Sequence, residues 1–230
     1  MFKRNFTLSS IALAKVIPKN LKGKSVSSQL WLQRQLSDPY VEKAKRLNYR
    51  CRSAFKLIEI DEKYKLLKPG QNIIDCGCSP GSWSQVAVQR TKGLVIGVDL
   101  LQPYPLEGAI LLGNTNFTTE SGQNKIKEIL KDKKLNVVLS DMAPKATGVR
   151  QLDQENIVTL CYSVLRFALQ MSEENASIVM KIWSNGELKS LMENMEKYYK
   201  VVKICKPNAS RSDSAEQFLV GKGFIGVKTS

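Results

Sequence analysis

Between residues 72 and 99 the chain runs as strand, glycine-punctuated loop, helix and a second strand ending in an acid. Few folds accommodate that order. The apolar pair Ile73-Ile74 leads into Asp75-Cys76-Gly77-Cys78-Ser79-Pro80-Gly81-Ser82-Trp83, and Val95-Ile96-Gly97-Val98-Asp99 closes the unit. Glycines let a backbone approach a ligand closely, and open α/β sheets bind ligands at the carboxyl ends of their strands. Asp99 stands roughly where such units keep a carboxylate for ribose hydroxyls, about 20 residues on. The unit predicts a nucleoside-containing cofactor. The glycine loop taken alone is equally consistent with a tight strand-to-helix turn.

The same alternation continues downstream. Strands are predicted at 72–76, 94–99, 109–113, 136–141, 177–183, 201–206 and 216–224, and helices at 83–90, 121–131, 153–171 and 186–198. Apolar runs alternating with helical periods predict a mostly parallel, doubly wound sheet. Pro207–Ala215 is too short for a crossover helix, so the last two strands are expected to pair antiparallel. Upstream, Asp38-Pro39 reads as an N-cap and first-turn proline, opening a basic helix with Lys43, Lys45 and Arg46. A second helix is predicted from Ser53 to about Leu67, stopped by Lys68-Pro69-Gly70.

Charge and missing residue types narrow the function. Lys and Arg number 35 against 21 Asp and Glu, a net charge of +14, which favours a polyanionic partner because cationic side chains release phosphate counterions. No apolar run reaches the length of about 18 residues that a membrane span needs. Five cysteines, an odd number, argue against a disulfide framework and for a reducing compartment. Cys76 and Cys78 form a C-x-C without a second pair, and the chain has no histidine, so no metal is expected. Proton transfer must then fall to Lys, Asp, Glu, Tyr or Cys. Residues 1–37 hold seven basic residues and no acid. Phe6, Leu8, Ile11, Leu13 and Ala14 fit one helical face there, the composition of a mitochondrial transit segment. The expected organisation is a basic leader over 1–28 and one domain with basic N-terminal helices over 29–230. The rival for the leader is an RNA-binding arm.

Three strand ends carry conspicuous polar residues. Asp141 ends the strand expected beside the first. Lys181 lies inside a strand expected to be buried on both faces, where desolvation disfavours its charge and a partner is needed. The bland alternative is a lysine stem that snorkels out at the sheet rim. Glu216 opens the final strand after a loop rich in Ser, Lys and Arg.

These pieces, in this order, resemble the FtsJ/RrmJ family of S-adenosylmethionine-dependent RNA ribose 2′-O-methyltransferases. The resemblance rests on Arg50-Cys51-Arg52-Ser53-Ala54-Phe55-Lys56-Leu57, Pro80-Gly81-Ser82-Trp83-Ser84-Gln85, Asp99-Leu100-Leu101, Ser140-Asp141-Met142-Ala143-Pro144, Lys181 and Ser214-Ala215-Glu216. It covers about residue 30 to the carboxyl terminus. Trp31-Leu32-Gln33-Arg34-Gln35-Leu36 and Pro105-Leu106-Glu107-Gly108-Ala109 resemble the mitochondrial branch, which acts on a uridine of large-subunit ribosomal RNA. The resemblance implies a Rossmann-like methyltransferase fold, with a mostly parallel seven-stranded sheet and an antiparallel last strand. It implies S-adenosylmethionine as cofactor, ribosomal RNA within a large-subunit particle as partner, and the mitochondrial matrix as location. It also implies a catalytic set of Lys56, Asp141, Lys181 and Glu216. Lys181 is expected to take or orient the hydroxyl proton, Asp141 to position Lys181 and favour the sulfonium, and Glu216 to hold Lys56. Pro80, Gly81, Ser82 and Trp83 are expected to bind the cofactor, Gly81 and Trp83 at its methionine and sulfonium end, and Asp99 to meet its ribose. Asn114 replaces the acid that usually meets the adenine. Lys43, Lys45, Arg46, Arg50, Arg52, Lys206 and Arg211 are candidate RNA contacts. Rival functions are 2′-O-methylation of transfer RNA, a cap or other RNA, and a catalytically idle assembly factor. Asp141-Met142-Ala143-Pro144 lacks the Asp/Asn-Pro-Pro-aromatic motif of amino methyltransferases.

Overall fold

The computed structural model describes residues 23, 25–183 and 187–227. The leader up to residue 22, with its expected helical face, lies outside the described residues, as does position 186, where a helix is predicted to start. No described helix is long and apolar enough to cross a membrane.

Three helices precede the sheet: α1 (Val26–Leu36), α2 (Pro39–Arg46) and α3 (Ala54–Tyr64). Ser25 and Asp38 cap α1 and α2 through their side chains, and Pro39 sits in the first turn of α2, where its missing N–H costs nothing. The expected leader boundary after residue 28 falls inside α1. The α3 helix ends at Tyr64, short of the expected Leu67, because Lys65 adopts a left-handed conformation at its C-cap. Beyond it, Leu66 and Leu67 both donate their amides to Asp61 Oδ1 at 2.8 Å. Arg90 pairs with the other oxygen of that carboxylate. The helix therefore stops on a buried side chain, ahead of the Pro-Gly turn.

There follow β1 (Ile73–Cys76), α4 (Ser82–Thr91), β2 (Val95–Val98), β3 (Ala109–Leu112), α5 (Glu120–Leu130), β4 (Leu135–Ser140), α6 (Arg150–Met171), β5 (Ser172–Trp183), α7 (Leu188–Glu196), β6 (Tyr199–Cys205) and β7 (Glu216–Phe224). The seven strands order as β3-β2-β1-β4-β5-β7-β6. The pairings from β3 across to β5 are parallel, and β7 runs antiparallel to both β5 and β6. Every residue of β1 and β2 is buried, which is why they read as continuous apolar runs. Apolar residues from α5, α6 and α7 cover one face, among them Ile126, Val164, Phe167 and Leu191. Leu57 and Ile60 of α3 and Trp83, Val86 and Ala87 of α4 cover the other.

The sheet reverses its order between β1 and β4, so a crevice opens between the loops that leave their carboxyl ends. β5 begins five residues earlier than its apolar run predicts. Its extension pairs Ser172 with Leu135 across an irregularity in register and includes Asn175 at positive φ. Periodicity misses such a segment because residues 173–175 are exposed.

Candidate active site

Four charged side chains from four elements meet above the carboxyl ends of β4 and β5. Asp141 directly follows β4 and Lys181 lies near the end of β5, in parallel register with it through Ser140 and Met180. Glu216 opens β7 opposite Trp183, and Lys56 projects from the first turn of α3. Lys56 Nζ lies 2.7 Å from Glu216 Oε2 and 3.9 Å from Asp141 Oδ1. Lys181 Nζ lies 3.2 Å from the same Oδ1 and donates to the Asp141 main-chain oxygen at 2.5 Å. Asp141 Oδ1 thus stands between two ammonium groups without a directed hydrogen bond. The four side chains are only 10–17 % exposed. A buried ion network is weak evidence for stability, since apolar residues of equal volume often serve as well. Its value here is chemical. An ammonium has three donors, and Lys181 spends its bonds on one residue, leaving capacity for a group arriving from the crevice.

Two serines that the sequence did not single out complete the set. Ser53 Oγ donates to Asp141 Oδ2 at 2.5 Å, and Ser210 Oγ donates to Glu216 Oε1 at 2.8 Å. The only signal for Ser53 was its place three residues before Lys56, one helical turn away. Ser210 carried none, because its partner is set by how the loop between β6 and β7 folds.

A cavity of about 890 Å³ adjoins this cluster, lined by Gly77, Ser79, Asp99, Leu100, Asn116 and Asp141 among others. Asp99 accepts the Ser79 amide at 2.9 Å and the Leu101 amide at 2.8 Å, so its carboxylate joins the loops after β1 and β2. Two carboxylate oxygens offer about four acceptor sites, which leaves capacity for ligand hydroxyls. Asn114 lies elsewhere than expected: it is exposed at positive φ and donates to Gln102 at 3.3 Å. Asn116 lines the cavity instead, its side-chain Oδ1 accepting from the Thr118 amide and hydroxyl. The turn after β3 runs on until Phe117 buries itself against Phe167, ring centroids 5.3 Å apart, and that anchor presents Asn116.

The loop after β1 divides between ligand and core. Ser79 faces the cavity, whereas the Trp83 indole is 2 % exposed. It donates to the Ser53 main-chain oxygen at 2.9 Å and packs on Phe218, so its side chain belongs to the core. Gly81 caps α4 at φ +106, and a Cβ there would meet Arg50 Nη1 at 2.5 Å. Neither Pro80 nor Ser82 lines the cavity. Beneath the loop, Asp75 is fully buried and accepts from Ser84 Oγ at 2.7 Å. Burial pushes its carboxyl up to about 7; the Ser84 bond opposes this, and nearby Asp141 and Asp99 reinforce it. Burial also pushes the Cys76 and Cys78 thiols up, helped by Asp75. Among the described residues no cluster of His, Cys, Asp and Glu is arranged to hold a metal.

The candidate RNA contacts split into two groups. Arg50 donates to the main-chain oxygens of Pro80, Tyr104 and Pro105 at 2.8, 2.7 and 2.5 Å. Arg52 ties Asp38 to the Ala209 main-chain oxygen. Both therefore act as internal struts. Lys206 bonds the Ser212 and Ser214 main-chain oxygens, and Arg211 Nε lies 3.8 Å from Asp38. Lys45 pairs with Glu42 on the surface. Exposed Lys43 sits 4.6 Å over the Phe55 ring, and Arg46 is exposed on the same helix.

Comparison with known proteins adds a family and relatives. A family model described as FtsJ-like methyltransferase matches residues 49–224. The chain is 54% identical to rRNA methyltransferase 2, mitochondrial, of Drosophila melanogaster, over 94% of this chain and 91% of that protein. It is 42% identical to ribosomal RNA large subunit methyltransferase E of Parvibaculum lavamentivorans, over 94% and 89%. A crystal structure described as a ribosomal RNA methyltransferase of Plasmodium falciparum superposes with a TM-score of 0.71 at 32% identity, covering 78% of this chain and all of that one.

Proposed function

The chain belongs to the FtsJ-like methyltransferase family, and on that premise we propose that it methylates the ribose 2′-hydroxyl of a uridine in large-subunit ribosomal RNA. The donor is S-adenosylmethionine, the substrate is RNA within a large-subunit ribosomal particle, and the location is the mitochondrial matrix. The observation that carries this reading is the Lys56–Asp141–Lys181–Glu216 cluster beside a cavity that holds a second carboxylate. A ribosomal RNA substrate accords with the relatives' names and with the +14 charge. A mitochondrial location accords with the name of the Drosophila relative and with the acid-free basic leader.

The cavity residues fit the cofactor. Asp99 and Asp141 line it, and among the described residues Lys145 is the one cation in its lining, an electrostatic setting that favours a positively charged sulfonium. Asp99 serves the ribose, Asn116 and Leu100 bound the base side, and the Gly77–Ser79 backbone serves the methionine side. When bound, S-adenosylmethionine supplies a methyl group made electrophilic by its sulfonium. The chain's own work is alignment and proton handling, because an in-line displacement depends on near-attack geometry. Lys181, held by the Asp141 main-chain oxygen and carboxylate, directs its free valence at the incoming 2′-hydroxyl. There the ammonium donates to the oxygen and so fixes its lone pair for the attack, and the deprotonated amine, where it forms, takes the departing proton. Lys56 adds positive charge next to the developing alkoxide, and Glu216 keeps Lys56 from folding onto Asp141.

The test is to incubate the purified chain with methyl-labelled S-adenosylmethionine and either naked large-subunit RNA or ribosomal particles. Label in an alkali-resistant dinucleotide with a 2′-O-methyluridine is the expected result. Label on a base, or none in either substrate, would sink the proposal.

A further inference from the structure

Ser53 stands at the N-cap of α3, where a serine ordinarily turns its hydroxyl onto an amide of the first helical turn. Here it makes no such bond, and its φ and ψ are already helical. Its hydroxyl instead donates to Asp141 Oδ2, 88 positions away in sequence, at 2.5 Å. The serine's main-chain oxygen accepts the Trp83 indole N–H at 2.9 Å. One residue therefore joins the helix that follows the glycine loop, the helix that carries Lys56, and the acid that holds Lys181.

Ser210 repeats the arrangement on the other carboxylate. It is buried, its amide closes a turn on the Pro207 oxygen at 3.0 Å, and its hydroxyl donates to Glu216 Oε1 at 2.8 Å. Each acid of the cluster thus presents one oxygen to a lysine and yields the other to a serine. A carboxylate turns about a soft terminal torsion, so without the serine nothing in its own side chain fixes which oxygen meets the ammonium.

We propose that Ser53 and Ser210 are positioning residues that lock the rotation of Asp141 and Glu216 and thereby fix the direction of the Lys181 and Lys56 ammonium groups. Neither touches the reacting atoms. Ser53 has the larger effect, because Asp141 contacts both lysines and Glu216 only one. The inference rests on the methyl-transfer reading above.

The experiment measures kcat and KM for wild type, Ser53→Ala, Ser53→Thr, Ser210→Ala and Lys181→Ala with labelled S-adenosylmethionine and the RNA substrate, alongside Tm and the affinity for S-adenosylhomocysteine. Ser53→Ala is expected to lower kcat about 10-fold, the factor that roughly one hydrogen bond supplies. Both KM values, the affinity and Tm should hold within about two-fold and a few degrees, because no cap bond is lost. Ser53→Thr, which keeps the hydroxyl, restores kcat, and Ser210→Ala gives a smaller fall in kcat alone. An unchanged kcat in Ser53→Ala, or a fall that Ser53→Thr shares or that parallels a loss of Tm and affinity, overturns the inference. A wild type that transfers no methyl overturns the methyl-transfer reading itself, whereas an active wild type with an inactive Lys181→Ala leaves that reading standing whatever the serines do.

Discussion

The two halves of the crevice are built from different material. On the β1–β2 side the site is mostly backbone: Gly77, the Ser79 amide held by Asp99, and the loop that Arg50 ties to the next one. On the β4–β5–β7 side it is side chains: two lysines and two acids, each acid oriented by a serine. The first half suits recognition of a ligand whose shape is constant. The second suits a reaction in which one proton must move along one line. Substitutions should therefore affect binding on one side and turnover on the other.

The largest effect should come from the side-chain half. Lys181→Ala is expected to cut kcat by about 10³-fold, within the range for a positioned proton-transfer group. Its affinity for S-adenosylhomocysteine should stay within a few-fold by calorimetry; a matching loss of affinity would erase the division. On the backbone half, Asp99→Ala removes the acceptor of two loop amides as well as the proposed ribose contact. A fall in cofactor affinity of about 10- to 100-fold is expected from losing charge-assisted bonds, with kcat at saturation changing far less.

Arg50→Lys sharpens the comparison, because a lysine has no planar fork to span three carbonyl oxygens. Cofactor KM should rise about five-fold, on the order of one net hydrogen bond. A change confined to the RNA KM would restore Arg50 to the phosphate-contacting role read from sequence. Asp75 tests the floor beneath both halves. Its folded-state pKa of about 7 lies above the ordinary carboxylate value, so its contribution to stability is greatest below about pH 4 and is lost as pH rises through 7. Asp75→Asn removes that dependence, so its Tm relative to wild type should climb between pH 4 and 7 and level off above. A constant offset would mean the carboxyl does not titrate in that window. The smallest effect is expected from removing residues 1–24, which leaves α1 whole: activity on naked RNA should hold within about two-fold if the leader is only a transit segment. A large rise in RNA KM would instead identify the leader as a binding arm.

Local signals carried much of the architecture. The continuous apolar runs of β1, β2 and β4 mark strands buried on both faces, and the short Pro207–Ala215 connection foretold that β7 would run antiparallel. Lys181 was conspicuous because a lysine in an apolar strand has few uses. Other details were invisible. The polar start of β5 has no periodicity to read. The end of α3 depends on Asp61, whose role as an amide acceptor needs the chain to have turned. Asn114 and Asn116 are indistinguishable until Phe117 finds Phe167. Arg50 and Arg52 read as surface cations because a charge gives no hint of which main-chain oxygens lie beside it.

What the sequence determined by itself was the order of the strands and of the helices from α2 onward, the sign of the surface charge and the residue types gathered at the strand ends; α1 was not among the predicted helices. These follow from periodicity and composition, which act over a few residues at a time. Only the tertiary structure decided which asparagine faces the cavity, which arginines are struts and which oxygen of each acid meets a lysine. Those outcomes turn on contacts between residues as far apart as Ser53 and Asp141, or Arg52 and Ala209. Hydrogen bonds select partners by distances of a few tenths of an ångström, and no pattern along the chain encodes separations that fine.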